Sequence, residues 1–322
     1  MEKLKSELKS MFTEHWKYLT LNAASELKLF DKIFDGLNTA EKLSKENNWD
    51  YNTLLALLKF LVSSEYLEIK EDNIYCVSEK GNLLREKNPN GLYYASLIWA
   101  GEHLNAWQKL SYTIKTGTSA FNYIYHQNYF EYLNNYPEKL LQYHKAMYEY
   151  AMDDYKDLPT VIDFGKYHSI MDVGGGYGAA LSLIKQKKSN VKCFLFDLKS
   201  VIENVSNDKL EKIEGDFFKI IPNIAEAILL SRILHDWNNE NASLILQNCF
   251  EALPVNGNLF VIENCTDKTP VDLSLLSLNM TVMCQSFERS SEEYISLCEK
   301  AGFTFQSDKQ LNQLQRILIF IK

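Results

Sequence analysis

The segment 170–179, Ile-Met-Asp-Val-Gly-Gly-Gly-Tyr-Gly-Ala, constrains the fold of this chain more than any other. The apolar run around Asp172 predicts a buried strand, and the glycine cluster after it predicts a tight turn into a helix. Because glycine has no Cβ, the backbone of such a turn can lie directly against a ligand. Gly174, Gly176 and Ala179 also fit the dinucleotide pattern G-x-G-x-x-G/A, so the segment alone leaves the cofactor open.

Short β-like runs alternate with helical stretches from residue 169 onward. The runs are 169–173, 192–197, 212–214, 227–231 and 259–263, and the helical stretches are 179–187, 240–252 and 273–283. This order predicts right-handed βαβ crossovers and a doubly wound parallel sheet, the Rossmann-like α/β class. Two further runs, 303–307 and 316–321, can close the sheet as a hairpin.

Residues 1–155 are predicted to be mostly helical, with helices at 17–30, 54–61, 99–114 and 136–150 and an N-cap at Thr39. Two runs, 66–69 and 74–77, can form a two-stranded wing, which makes the unit winged-helix-like. Its predicted recognition segment contains only Lys59 as a base, so packing or dimerisation is favoured over DNA binding. The chain is therefore divided into a helical domain, 1–155, and an α/β domain, 156–322.

The composition of the chain limits which kinds of molecule it is expected to bind. The net charge is −8 and the basic residues are scattered, which argues against a nucleic-acid partner. No apolar run approaches the length of a membrane span and no signal peptide is visible, so no membrane partner is expected. Six cysteines without a C-x-x-C pair indicate free thiols in a reducing cytoplasm. The dispersed histidines make a zinc site improbable, and no metal is expected.

Polar residues follow the strands at the edge where an open α/β sheet binds its ligand. Asp172 and Asp197 end the first two strands, Asp216 and Phe217 follow the third, and Ser231 and Arg232 end the fourth. A single acid of this kind is more often a cap or turn residue. Their recurrence at one edge favours a nucleoside site, with Asp197 on the ribose hydroxyls and Asp216 with Phe217 at the adenine.

His235 lies just after the fourth strand, on the predicted cofactor side of the sheet. Histidine titrates near neutral pH, so it can remove a proton from a hydroxyl as an electrophile arrives. Glu263 and Glu288 could flank the imidazole and fix its tautomer. The alternatives are that His235 only caps a loop and that each glutamate is an exposed surface acid.

Together these segments resemble the metal-independent O-methyltransferases typified by caffeate, isoflavone and acetylserotonin methyltransferases, whose bacterial relatives act on polyketides and other natural products. The resemblance rests on Asp-x-Gly-Gly-Gly-x-Gly at 172–178, Phe-Asp-Leu at 196–198, Glu-Gly-Asp-Phe-Phe at 214–218, Leu-His-Asp-Trp at 234–237 and the segment 248–257. It extends over nearly the whole chain, including 27–31 and 107–133. It implies S-adenosylmethionine as the cofactor and excludes NAD.

The resemblance also implies roles for individual residues. His235 would be the base, with Glu263 and Glu288 as its partners, and a hydroxylated small molecule would be the acceptor. The cofactor site would comprise Asp172, Gly174, Gly175, Gly176, Asp197, Leu198, Asp216, Phe217, Ser231 and Arg232. The acceptor pocket would comprise Trp107, Met147, Asn279, Met280 and Met283, although such residues on helices are equally often ordinary core. The helical domain would form an intertwined homodimer.

Three alternatives remain open from the sequence. One is methylation of nitrogen or carbon. Another is an enzyme of the same fold that uses the bound cofactor for decarboxylation, hydroxylation or a pericyclic step. The third is a non-catalytic or DNA-binding protein. Gln285-Ser-Phe287 stands where the family usually has small residues, which leaves the acceptor in doubt, and the segment 54–66 lacks the family's usual arginine and glycine.

Overall fold

Two units make up the chain, Met1–Gly101 and Glu102–Lys322, in a computed structural model that describes residues 1–268 and 270–322. The sequence placed this boundary at residue 155. The helices between residues 102 and 155 instead pack within the second unit, where they contact helices of the α/β part. Hydrophobic periodicity identifies a helix but not the neighbour that its apolar face contacts, which accounts for the difference.

The first unit has the expected winged-helix-like order of helices followed by a hairpin. Its elements are α1 Glu2–Met11, α2 His15–Glu26, α3 Leu29–Phe34, α4 Ala40–Asn47, α5 Tyr51–Ser63, β1 Leu67–Lys70, β2 Ile74–Val77, α6 Glu79–Asn82 and α7 Ala95–Ile98, with a 3₁₀ turn at Glu71–Asn73. The hydroxyl of Thr39 accepts from Lys42 N at 3.3 Å, as its predicted N-cap role requires. The prediction of one helix over 17–30 was wrong, because Lys28 adopts a left-handed conformation between α2 and α3.

The second unit begins with six helices and continues with the α/β sheet. The helices are α8 Glu102–Trp107, α9 Leu110–Thr116, α10 Ala120–Tyr125, α11 Tyr129–Asn135, α12 Pro137–Asp154 and α13 Leu158–Val161. The sheet region comprises β3 Ser169–Val173, α14 Ala179–Lys187, β4 Lys192–Asp197, α15 Lys199–Ile202, β5 Glu211–Glu214, β6 Ala227–Ser231, α16 Asn239–Ala252, β7 Asn258–Asn264, α17 Val271–Cys284, α18 Ser291–Lys300, β8 Thr304–Gln310 and β9 Gln315–Ile321. Two 3₁₀ turns lie at Phe164–Lys166 and Leu234–Asp236. The predicted helix over 99–114 is interrupted between α8 and α9.

The sheet has the strand order β5-β4-β3-β6-β7-β9-β8, in which β3 to β7 are parallel and β9 is antiparallel to both of its neighbours. The doubly wound prediction and the closing hairpin are therefore confirmed. The order reverses at β3, whose neighbours are β4 and β6, so the carboxyl ends of these strands form the switch point where open α/β sheets bind ligands.

Two apolar clusters cover the faces of this sheet. One contains Met171, Phe196 and Leu230, and the other contains Ile170, Leu195 and Leu229, as the alternation along buried parallel strands requires. The rigid strands therefore fix the positions of the polar residues at their ends. Among the described helices, none combines the length and apolar character needed to cross a membrane.

Candidate active site

The glycine turn lies between β3 and α14 and contacts two buried carboxylates. Asp197 accepts from Gly176 N at 2.8 Å and from Leu198 N at 2.7 Å, which ties the end of β4 to the turn. A Cβ on Gly175 would lie 2.6 Å from Oδ2 of Asp172 and 2.6 Å from Leu195. Glycine at position 175 is therefore required by the close approach of the Asp172 carboxyl group.

Asp172 and Asp197 are buried acids, and no ion pair joins either of them to a basic side chain among the described residues. Oδ1 of Asp172 is buried and has no hydrogen-bond partner among the described residues. Burial raises the pKa of Asp172 to about 8, and the charge of Asp197 adds to this shift. Burial also raises the pKa of Asp197 to about 6, against the effect of its two backbone hydrogen bonds. Both groups can accept hydrogen bonds from a ligand at the switch point.

Phe217 lies on the other side of the turn. A Cβ on Gly174 would lie 3.3 Å from the Phe217 ring and 2.6 Å from Ile233, so both side chains lie against the glycine. Asp216 accepts from Phe218 N at 2.9 Å through one carboxylate oxygen. Leu198 is exposed, and Oγ of Ser231 is buried without a partner among the described residues. The glycine turn and the residues that follow β5 thus form one contiguous surface.

His235 is held by a backbone turn that Glu263 stabilises. Oε1 of Glu263 accepts from the backbone nitrogens of the turn at 3.1 Å (Ile233), 2.8 Å (Leu234) and 3.4 Å (His235). His235 is 7% exposed and Glu263 is fully buried. Glu263 therefore orients the histidine through the main chain of the turn, which the sequence analysis did not anticipate.

Arg232 joins the histidine to both glutamates. This residue, which the sequence assigned to the cofactor site, has a left-handed backbone with φ of 58°. Its guanidinium donates to Glu288 at 2.6 and 3.0 Å and to Glu263 at 3.2 Å, and Nη2 lies 3.0 Å from Nδ1 of His235. Nδ1 of His235 also lies 3.3 Å from Oε1 of Glu288. The structure thus brings His235, Glu263 and Glu288 together, with Arg232 among them.

The charged groups of this cluster shift one another's pKa values. Burial and Arg232 lower the pKa of His235, but Asp236, Glu288 and Glu263 outweigh them, so that the pKa is raised above its usual value. Burial disfavours ionisation of Glu288, yet Arg232 and His235 hold its pKa well below the usual range. Potential metal-ligand atoms of His235, Glu263 and Glu288 lie within 4.8 Å of one another. Arg232 supplies these carboxylates with the positive charge that a metal ion would otherwise provide.

The expected acceptor residues lie on α8, α12 and α17. Nε1 of Trp107 donates to Oδ1 of Asn279 at 2.8 Å, which links α8 to α17. Met147 is half-buried on α12. Met280 and Met283 are 5% and 1% exposed, and Met283 belongs to the apolar core between these helices. Trp107, Met147 and Asn279 retain exposed surface that a ligand can contact.

Asp236 is a partly buried acid that the sequence analysis missed as a site residue. Its Oδ1 lies 3.5 Å from Nε2 of His235, and burial raises its pKa despite His235 and Arg232. It also lines a cavity of about 270 Å³ formed by α10, α11, α17 and the start of α16. The signal was present in the sequence, because Asp236 directly follows the candidate base.

Comparisons with known proteins identify the family of this chain. The model of the O-methyltransferase domain family matches residues 107–304. Phenazine O-methyltransferase of Lysobacter antibioticus is 27% identical over 313 residues, 94% of this chain and 92% of that protein. 3-Amino-4-hydroxybenzoate 4-O-methyltransferase of Streptomyces cremeus is 31% identical over 304 residues, 91% and 83% of the two proteins.

The comparison with solved structures supports the fold. Human N-acetylserotonin methyltransferase, solved in complex with S-adenosylmethionine, superimposes with a TM-score of 0.91 at 22% identity, covering 100% of this chain and 98% of that chain. The resemblance inferred from the sequence, the Rossmann-like fold and the cofactor are confirmed. The chain belongs to the O-methyltransferase family and is an S-adenosylmethionine-dependent O-methyltransferase.

Proposed function

We propose that the chain methylates a hydroxyl group of an aromatic or polyketide-like small molecule, with His235 as the general base. The observation that carries this proposal is the placement of a buried imidazole between Arg232 and Glu288 on one side and Asp236 on the other. General bases in enzymes are held in such fixed hydrogen-bonded positions. The two carboxylates lie beside different nitrogens of the ring, so both of its ends are held.

The bound cofactor supplies an electrophilic methyl group on a sulfonium sulfur, which needs no metal. Nε2 of His235 would take the proton of the acceptor hydroxyl as the hydroxyl oxygen becomes methylated. Glu288 and Arg232 hold the Nδ1 side of the ring. Glu263 holds the turn, so the imidazole does not have to reorganise during the reaction.

The residues at the switch point fit this cofactor. The unpartnered Oδ1 of Asp172 can accept from an ammonium group, and Asp197 can accept from ribose hydroxyls. Phe217 offers a ring face to adenine and Asp216 an acceptor to its amino group. The backbone of Gly174, Gly175 and Gly176, with Leu198, Ser231 and the main chain of Arg232, would complete the site.

The acceptor pocket is proposed to lie among α8, α12 and α17. Trp107, Met147 and Asn279 would contact the acceptor, since each is only partly buried. Met280 and Met283 would support that wall by packing behind it. This assignment is supported by the hydrogen bond between Trp107 and Asn279, which fixes the indole at the junction of two helices.

We also propose that the protein is a homodimer in a reducing cytoplasm. The first unit exposes large apolar side chains along α1 and the start of α2: Leu4, Leu8, Met11, Phe12 and Trp16, between 51% and 65% exposed. An apolar stripe of this size is typical of an interaction surface. The compartment is supported by the six cysteines, all of which are free thiols.

The experiment that tests the function is a transfer assay with S-adenosylmethionine labelled in its methyl group. The purified protein is incubated with a panel of phenols, anilines and activated carbon acids, and products are identified by mass spectrometry. We expect the label on phenolic oxygen. Label found only on nitrogen or carbon, or cofactor consumption without transfer of the label, would contradict the proposal.

A further inference from the structure

A cavity of about 270 Å³ lies between residues of α11 and α17, and Asp236 is part of its lining. Since a protein cavity of roughly 150 Å³ binds benzene, this volume has room for about two fused rings. Asp236, Cys284 and Asn122 are partly buried parts of its lining, and exposed amide side chains form its mouth. All of these residues belong to the second unit.

One wall of the cavity is aromatic. The rings of Phe130 and Trp237 stack with centroids 5.7 Å apart and an interplanar angle of 26°. Tyr129 is buried beside them and lies edge-on to Tyr143. Flat rings of this kind favour a planar ligand, because aromatic groups pack against one another face to edge or offset.

The polar groups of the lining are carboxamides. Oδ1 of Asn122 is buried and has no hydrogen-bond partner among the described residues. Asn128 and Asn238 use their carbonyl oxygens as N-caps of α11 and α16, which leaves their NH₂ groups able to donate. Asn241 and Gln285 add two more amides. These groups offer neutral donors and acceptors to a ligand.

The described residues that line the cavity include an acidic side chain and no basic one. Asp236 carries the single ionisable carboxyl group, and no lysine or arginine is among the described residues that line the cavity. Arg232 is near His235, but its guanidinium is already bound by Glu263 and Glu288. A ligand carboxylate would therefore be desolvated near Asp236 with no lysine or arginine of the described lining to pair with it.

From this lining we infer that the cavity holds the part of the acceptor remote from the methylated hydroxyl, and that it selects neutral planar rings bearing carbonyl, amide or amino groups over rings bearing a carboxylate. The inference rests on the proposed function, because Asp236 lies 3.5 Å from Nε2 of the proposed base. Asn122 and Gln285 act as specificity-determining residues.

The test compares two acceptors of the same shape. One is a hydroxynaphthamide and the other the matching hydroxynaphthoic acid, with the hydroxyl and carbonyl groups on different rings. At mildly alkaline pH only the acid carries a charge. Because like-charged groups brought together at a binding site are strongly disfavoured, we expect kcat/KM for the amide to exceed that for the acid on the order of 100-fold. Equal or better use of the acid would overturn the inference while leaving the proposed function intact.

If no methyl transfer occurs, binding measurements distinguish the inference about the cavity from the proposed function. The demethylated cofactor product is added and each acceptor is titrated by calorimetry. Binding of the amide but not the acid, without transfer to any phenol, would support the inference about the cavity and overturn the proposed function. Binding of neither acceptor, without transfer, would overturn both.

A matched pair of variants tests the cavity itself. Gln285 is exposed at the mouth and its backbone conformation is already left-handed, so another long side chain is accommodated equally well. We expect Gln285→Arg to raise kcat/KM for the acid relative to the amide by about tenfold or more, since it supplies the missing cation. Gln285→Met removes the amide without adding a charge, so it should change the ratio far less than Gln285→Arg does. An unchanged ratio in Gln285→Arg would contradict the assignment of the cavity.

Discussion

Nη2 of Arg232 lies 3.0 Å from Nδ1 of His235, on the side of the imidazole that faces Glu288. A guanidinium has only donors, so this contact is a hydrogen bond only when Nδ1 carries no proton. When Nδ1 is protonated it can donate to Oε1 of Glu288 at 3.3 Å instead. Arg232 and the Nδ1 proton therefore share one carboxylate oxygen, and the arginine influences which nitrogen of His235 carries a proton.

Replacing Arg232 is expected to move the pH dependence of methyl transfer. Arg232 lowers the pKa of His235, whereas Asp236, Glu288 and Glu263 raise it. Removal of the positive charge in Arg232→Met should therefore raise this pKa further, and the acidic limb of kcat should move to higher pH. At a fixed pH below the limb, the rate falls about tenfold for every pH unit by which the limb moves up. The measurement is a pH–rate profile with a phenol that remains un-ionised over the range.

The control for this variant is Arg232→Lys, which keeps the charge but loses the planar fork. Its acidic limb should stay close to that of the unmodified protein. Breaking a buried ion pair commonly destabilises a protein by about 3–5 kcal/mol, so thermal unfolding and cofactor affinity are measured in parallel. A folded Arg232→Met protein with an unmoved limb would show that Arg232 has only a structural role.

His235→Ala is expected to reduce turnover by about 10²–10⁴-fold, the usual contribution of a general base. Cofactor affinity should change by no more than a few-fold, because the side chain lies outside the ribose and adenine contacts. Phenols of low pKa, which are already ionised, should recover most of the lost rate. The matched control is His168→Ala, at an exposed position. Near-normal turnover of a neutral phenol by His235→Ala would refute the role of the base.

Cofactor affinity is expected to rise as Asp197 ionises. Burial raises the pKa of Asp197 to about 6, and an ionised carboxylate accepts more strongly from hydroxyls. Calorimetry should therefore show tighter binding of S-adenosylmethionine above pH 6 than below it. Asp197→Ala should weaken binding by roughly 1.5–3 kcal/mol. Asp208→Ala, at a 99% exposed side chain, should leave the affinity unchanged, and equal affinities in both variants would exclude a ribose contact by Asp197.

Asp172 is expected to make the cofactor-free protein less stable as the pH rises. Its folded-state pKa is raised to about 8, whereas an unfolded aspartate titrates near 3.9. The folded state thus holds the proton more tightly, and this contribution is present at low pH and is lost between about pH 4 and pH 8. Asp172→Asn should flatten this part of the pH dependence of thermal unfolding and weaken cofactor binding. An unaltered pH profile would contradict the assignment.

The exposed stripe on α1 and α2 predicts a dimer. Light scattering at micromolar concentration should give twice the chain mass of 37.3 kDa. Replacing Leu8 and Phe12 with glutamate should lower the measured mass towards that of one chain. The control replaces Glu7 with glutamine on the same helix. A monomer mass for the unmodified protein would contradict the proposed assembly.

The α/β part could be predicted closely because its boundaries are fixed by local chemistry. β3, β4 and β6 begin and end at the predicted residues, since each is an apolar run bounded by aspartate, glycine or serine. His235, Glu263 and Glu288 could be found because they follow strands or a recognisable motif. The direction of the Arg232 side chain could not be predicted, because a positive φ at a non-glycine residue leaves no periodic signal in the sequence.

The helical part was predicted less well for a different reason. Apolar spacing identified the helices, but the break at Lys28 and the packing of α10 and α12 within the second unit depend on contacts distant in sequence. The cavity beside Asp236 likewise combines residues from four helices, and its amides resemble ordinary surface residues when read along the chain.

Glu263 accepts three backbone hydrogen bonds from the turn that carries His235. This support of the histidine therefore does not depend on the side chains of its neighbours in the turn. Because Oε1 of Glu263 accepts from the main-chain nitrogens of Ile233, Leu234 and His235, these hydrogen bonds do not depend on which apolar side chains stand at positions 233 and 234. Ile233 lies against Gly174 of the cofactor turn. A side chain that contacts the cofactor turn can therefore change among relatives of such an enzyme while the position of the imidazole is kept.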